Sequence, residues 1–125
     1  MARIIIAEDQ PQVREFCARA LQSAGHQVQA VEDGMRALEA LGAAEFDLLL
    51  TDIVMPEMDG IALALKVAKD YPNLRILMMT GFAAEKQRAY NLEALIHDVL
   101  TKPFSLSELV AAVDAALGQQ HASRG

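Results

Sequence analysis

The groups in this 125-residue chain that could do chemistry together are the acidic pair Glu8-Asp9, the carboxylate Asp52 in FDLLLTDIVMPEMDG, the hydroxyl of Thr80 in MMTGF and the ammonium of Lys102 in LTKPF. Carboxylates brought together repel one another, so Glu8, Asp9 and Asp52 stay ionised as a group only with a cation among them. Their donors are oxygens and no His or Cys cluster accompanies them, which makes Mg2+ the fitting ion, bound through one or two carboxylates and several waters. A carboxylate beside Mg2+ and a lysine is a competent nucleophile toward phosphorus, and Asp52 is the central candidate for an aspartyl phosphate. Lys102 would offer positive charge to the phosphoryl oxygens. Thr80 would hydrogen-bond one of them and couple the chemistry to movement of its loop, with Gly81 leaving room for the approach.

Elements must carry these groups to one place. Apolar runs at Ile4 to Ala7, around Val28 to Val31, Leu48 to Thr51, Ile76 to Thr80 and His97 to Thr101 alternate with segments of helical period. The first helix, after Pro11, sets Val13, Phe16, Cys17, Ala20, Leu21 and Ala24 on one face and stops at Gly25. Asp33 caps a second, with Met35, Leu38 and Leu41 inward and Gly42 at its end. A third spans Asp59 to Asp70 with Asp59 as cap, and a fourth lies near Ala83 to Leu92. In the fifth, Ser105 and Glu108 have capping-box spacing, and Leu106, Leu109, Val110, Val113 and Leu117 form the stripe.

Strands alternating with helices in this way predict an α/β doubly wound parallel five-stranded sheet with helices on both faces. The unalternated runs IIIA and LLLT suit strands covered on both sides. Ligands of such sheets bind outside the carboxyl ends of the strands, near the point where strand order reverses. Glu8, Asp9, Asp52, Thr80 and Lys102 all follow strand ends and are therefore expected at one rim.

Composition bounds the rest. A chain 53% hydrophobic can pack one core, and a formal charge of −6 with scattered Lys and Arg gives no basic stripe for nucleic acid. No apolar run approaches the roughly 18 residues of a membrane span, and the N-terminus turns acidic at once, so a soluble, cytoplasmic protein without membrane partners is expected. Cys17, alone, excludes an internal disulfide and reads as a buried thiol. His26, His97 and His121 share no ligand spacing and read as surface or turn residues, while Met55, Met58, Met78 and Met79 read as core packing. Nucleotide-loop, metalloprotease and serine-hydrolase motifs are lacking.

IIIAEDQ, LLLTDIVMPEMDG, MMTGF and LTKPF, in this order and spacing, resemble the bacterial two-component response-regulator receiver domain (CheY-like) over about residues 3 to 117. The resemblance implies the flavodoxin-like (βα)5 fold with strand order 2-1-3-4-5, residues 1–118 forming the receiver and 119–125 a C-terminal tail. It implies a phosphorelay switch in which Asp52 accepts a phosphoryl group from a histidine kinase or phosphotransfer protein. Asp9 is then a direct Mg2+ ligand, Glu8 acts mainly through a bound water, the backbone carbonyl of Val54 is a further ligand, and Thr80 and Lys102 contact the phosphate. Lys102-Pro103 is expected to be cis. Such a chain is not an enzyme toward outside substrates, although it catalyses its own phosphorylation and dephosphorylation. Its partner face is the fourth helix, fifth strand and fifth helix, and it is a monomer or a weak phosphorylation-linked dimer.

Three positions depart from the family pattern. Val99 stands where many receivers hold a swinging aromatic, which shifts the coupling toward Phe82 and the fourth helix. Val54 and Phe82 replace polar side chains flanking the site, from which slow loss of phosphate is expected. TDIVMPEMDG with TGFAA and VLTKPF also resembles stand-alone CpdR-type receivers, which act as adaptors for a protease; the same segments occur in receivers fused to histidine kinases. The alternative readings are an aspartate-nucleophile phosphatase, which ordinarily carries a second acid at the position of Val54, and a phosphate-independent interaction module.

Overall fold

In the computed structural model, which describes residues 1–92 and 94–118, the apolar runs form β1 (Arg3–Ala7), β2 (Gln27–Val31), β3 (Leu48–Asp52), β4 (Arg75–Thr80) and β5 (Asp98–Thr101). The expected tail, 119–125, and His121 with it, lie outside the described residues. All pairings are parallel and the order is β2-β1-β3-β4-β5, as expected. β3 is central and buried at every position, whereas edge strand β2 is half-buried or exposed throughout. An uninterrupted LLLT run is thus explained by cover on both faces.

The crossovers are α1 (Pro11–Ser23), α2 (Gly34–Ala43), α3 (Gly60–Asp70), α4 (Ala83–Tyr90) and α5 (Leu106–Ala116). Asp33 accepts from the Arg36 amide at 2.8 Å, and Asp59 from the Ala62 amide at 2.9 Å. Ser105 and Glu108 close a reciprocal capping box, at 3.0 and 2.8 Å. Each such cap stabilises its helix start by about 1 kcal/mol. Alternate side chains of the strands feed two core layers. Ile5, Leu49 and Met78 pack with Leu63, Val67 and Ala89 from α3 and α4, while Ile4, Ile6, Leu50 and Met79 pack with Cys17, Leu21, Leu109 and Val113 from α1 and α5.

Several inward positions differ from expectation. In α2 the buried face is Ala37, Ala40 and Leu41, and Met35 is 42% exposed. At about 100° per residue Met35 points about 200° away from Ala37, so the two cannot share a face. Gly42 lies inside α2, because one glycine weakens a helix without stopping it when Leu41 beside it is anchored in the core. Leu106, in the first turn of α5, stays exposed while Ala116 takes a place in the stripe. Phe16 is partly exposed, with its ring 6.3 Å from that of Phe104. His26 sits in the turn before β2, but it is packed there: its Nδ1 accepts from the Ala2 amide at 3.1 Å. His97 is exposed; Met55, Met78 and Met79 are buried, and Met58 is packed against the core. Among the described residues no helix is long and apolar enough to cross a membrane.

Candidate functional site

The residue after each strand decides what the rim offers. Glu8 follows β1, has no exposed surface, and is fixed at its backbone by donation to the Val31 carbonyl at 3.1 Å. Its Oε1 accepts from Lys102 Nζ at 2.8 Å and its Oε2 from the Gln10 amide at 3.0 Å. Lys102, following β5, also lies 3.3 Å from Asp52 Oδ2. Asp52 closes β3, is 6% exposed, and accepts at Oδ1 from the Ile53 amide at 2.9 Å. Asp9 is more exposed, and one carboxylate oxygen from each of Glu8, Asp9 and Asp52 lies within 4.8 Å of the others.

These groups are not electrostatically neutral. Burial pushes the Asp52 carboxyl up to about 6, the negative charge of Glu8 pushes the same way, and the charge and hydrogen bond of Lys102 oppose both. Burial works against the Lys102 ammonium, but its hydrogen bond to Glu8 and the charges of Asp52 and Glu8 outweigh this and hold it above its ordinary range. The Lys102 ammonium pairs with two of the three carboxylates, and the oxygen donors of the group fit a hard divalent cation such as Mg2+.

The loops are shaped around the same atoms. The Gly60 amide donates to the Ile53 carbonyl at 2.7 Å, and a Cβ on Gly60 would stand 2.1 Å from the Asp52 carbonyl oxygen. Only glycine lets the start of α3 fold this closely over the strand end. Glu57, in the same loop, holds φ 68°, a left-handed conformation that costs a residue with a side chain about 1 kcal/mol or more. Thr80 is buried, and its Oγ1 accepts from the Phe82 amide at 3.2 Å. Gly81 is not required for space, since a Cβ there would make an ordinary 3.6 Å contact with Lys102 Cβ. Lys102-Pro103 is cis, as expected. Val54 and Phe82 flank the site with exposed side chains, and Val99 is buried.

The fold thus brings Glu8, Asp9, Asp52 and Lys102 into direct proximity, with Thr80 at the adjacent strand end. Sequence reasoning missed Arg14, whose Nη1 donates to the Glu8 carbonyl at 2.8 Å and reaches the Asp9 carbonyl at 3.5 Å. A signal existed: a cation near the start of a helix opposes the helix dipole, so its presence there asks for a partner. Gly60 carried the weaker signal of a glycine immediately after a cap.

Comparison with known proteins agrees with this geometry. The response regulator receiver domain model matches residues 4–114. The response regulator receiver protein CpdR of Brucella abortus is 44% identical over 117 residues, 94% of this chain and 98% of its own length. The sensor kinase CckA of the same species is 38% identical over 122 residues, which span 95% of this chain and only 13% of the kinase. Among solved structures, the response regulator TrrA of Thermotoga maritima, in complex with Mg2+ and BeF, superposes with a TM-score of 0.84 at 27% identity, covering 93% of this chain and 99% of that one. The five-stranded 2-1-3-4-5 sheet with its acidic rim, and the receiver-domain match over residues 4–114, place the chain in the CheY-like response-regulator receiver family of two-component signalling.

Proposed function

We propose that this receiver is a phosphorylation switch in which Asp52 accepts a phosphoryl group from a histidine kinase or phosphotransfer protein. The observation that carries this is the placement of Lys102 Nζ between Glu8 and Asp52, at 2.8 and 3.3 Å, with Asp9 completing the acidic group. Asp52 is mainly ionised above pH 6, so its carboxylate can attack phosphorus; the P–O bond forms as the P–N bond of the phosphohistidine breaks, and the ring nitrogen leaves with the electron pair and takes up a proton. Lys102 stabilises the charge on the phosphoryl oxygens, and Thr80 hydrogen-bonds one of them. Mg2+ would be held by Asp9, Asp52 and the carbonyl of Val54, with Glu8 acting mainly through a bound water, and when bound it supplies charge neutralisation and an oxygen-coordinating centre.

The same residues catalyse phosphorylation and dephosphorylation of the chain itself, without an outside substrate. A phosphatase reading lacks its second acid, because the Val54 position offers an exposed apolar side chain. The output is a change in the α4–β5–α5 face, in the cytoplasm, read by a protein partner; the match to CpdR along nearly its whole length supports a protease-adaptor role of the CpdR type. The test is incubation with Mg2+ and acetyl phosphate, followed by intact mass. A phosphate-sized gain is expected in wild type and not in Asp52→Asn. No gain in either, with Mg2+ binding confirmed, would favour a phosphate-independent interaction module.

A further inference from the structure

Arg14 leaves α1 and turns back to the loop that carries the acidic pair, where its Nη1 donates to the Glu8 carbonyl at 2.8 Å and lies 3.5 Å from the Asp9 carbonyl. A trans peptide holds its C=O and N–H on opposite sides. Turning the Asp9 carbonyl toward Arg14 therefore aims the amide of the same peptide, that of Gln10, the other way, and this amide donates to Glu8 Oε2 at 3.0 Å. The far oxygen of that carboxylate is the one that holds Lys102. A continuous chain of contacts thus runs from Arg14 through one peptide plane to Glu8, and on to the ammonium beside Asp52.

We propose that Arg14 is a positioning residue for the Mg2+ and phosphoryl site, fixing the peptide planes of residues 8–10 so that Glu8 stays locked on Lys102 while Asp9 remains free for the metal. This inference rests on the proposed phosphoacceptor reading. Simple electrostatics works in the opposite direction: Arg14 is a cation near three carboxylates, so deleting its charge should tighten binding of a divalent cation. Arg36 provides the control, because it lines the same shallow concavity beside Val31 and Glu32 but its guanidinium pairs with Glu39.

The experiment is an Mg2+ titration of the full chain, followed by backbone amide shifts at pH 7.5, with hydrogen exchange of the Gln10 amide as a second readout. Arg14→Met is expected to raise the Mg2+ Kd about tenfold, the usual effect of losing an outer partner of a metal site, and to speed Gln10 exchange. Arg36→Met should bind Mg2+ as tightly as wild type or more so. Arg14→Lys keeps the charge but not the fork, and should fall between wild type and Arg14→Met. Equal or tighter Mg2+ binding in Arg14→Met overturns the proposal, and if that variant does not fold, wild-type affinity and Gln10 exchange in Arg14→Lys do so. A wild-type chain that binds no Mg2+ would overturn the site reading along with it, whereas wild-type binding unaffected by Arg14 overturns this inference alone.

Discussion

Lys102 Nζ stands 2.8 Å from Glu8 Oε1, joining residues 94 positions apart, and Glu8 has no exposed surface. Removing one partner of a buried ion pair leaves the other charge without compensation, which costs more than the pair itself contributes. Lys102→Met is therefore expected to destabilise the fold by about 3 kcal/mol in urea denaturation, and to lose most labelling by acetyl phosphate. Glu8→Gln should cost less, because Lys102 keeps Asp52 at 3.3 Å. Equal midpoints for Lys102→Met and wild type would show that the pair carries no structural weight.

Asp52 gives the metal-free protein a defined pH dependence. Its carboxyl is raised from 3.8 to about 6, first by burial and then by Glu8, so the folded state binds its proton more tightly than the unfolded state does. Between about pH 4 and pH 6 the folded chain carries the extra proton, and linkage makes stability fall as pH rises through this window. Above it the full penalty is present. In EDTA at pH 7.5, Asp52→Asn is expected to be more stable than wild type by roughly 1 to 3 kcal/mol, a gap that closes toward pH 4. A variant less stable than wild type at pH 7.5 would mean that the carboxylate is not under strain.

Two glycines should respond to alanine with opposite signs. At Gly60 the new Cβ meets the Asp52 carbonyl oxygen at 2.1 Å and Ile53 Cα at 2.9 Å, both backbone atoms that cannot step aside. Gly60→Ala is expected to cost about 2 kcal/mol or more and to shift the Asp52 and Ile53 amide resonances. At Gly42, inside α2, nothing lies within 4 Å of the added methyl. Gly42→Ala is expected to stabilise by about 0.5 to 1 kcal/mol, through the greater backbone freedom that glycine loses on folding. Thermal midpoints of the two variants check both signs at once.

What the sequence made legible was whatever local chemistry encodes. Asp33, Asp59 and Ser105 announced three helix starts because caps depend on residues three positions apart. The runs ending at Ala7, Asp52 and Thr80 announced strands, and the rule for strand ends then gathered the acids, Thr80 and Lys102 at one rim. Faces were harder: Met35 and Leu106 look inward by hydrophobicity, but which side of a helix meets the sheet is settled by packing against strands far away in sequence. The Lys102 bridge was harder still, because an ion pair across the sheet depends on strand order as much as on residue type. Arg14 gave only the signal of a cation near a helix start, since the backbone carbonyls that accept from it are not marked in the sequence.

Val54 tests whether the apolar flank of the site protects the acyl phosphate. Its side chain is 45% exposed on the loop after β3, so Val54→Asn is expected to alter stability by no more than about 0.5 kcal/mol. An amide there could hold a water near the phosphoryl group where the isopropyl group excludes one. The phosphorylated variant is therefore expected to lose its added mass several times faster than phosphorylated wild type. Equal half-lives would remove shielding as an explanation of phosphate lifetime.

The last relationship concerns how the event at Asp52 reaches the surface. Val99 is buried and has no ring to swing, so the response is expected to leave through the β4–α4 loop. Thr80 Oγ1 accepts from the Phe82 amide at 3.2 Å, and the Phe82 ring is 62% exposed. If the side chain turns about χ1 so that Oγ1 moves toward a phosphoryl oxygen, the Phe82 amide loses its acceptor, and the loop at the start of α4 is released. Addition of a beryllofluoride phosphate mimic with Mg2+ is thus expected to shift the Phe82 amide and ring resonances in wild type. Thr80→Ala should abolish that shift while leaving the mimic bound, and should already show faster Phe82 amide exchange without it, because the acceptor is gone. Identical Phe82 resonances with and without the mimic would place the output path elsewhere. The hydrogen bond from Phe82 to Thr80 would then be only a strand-end contact, worth about 1 kcal/mol of stability.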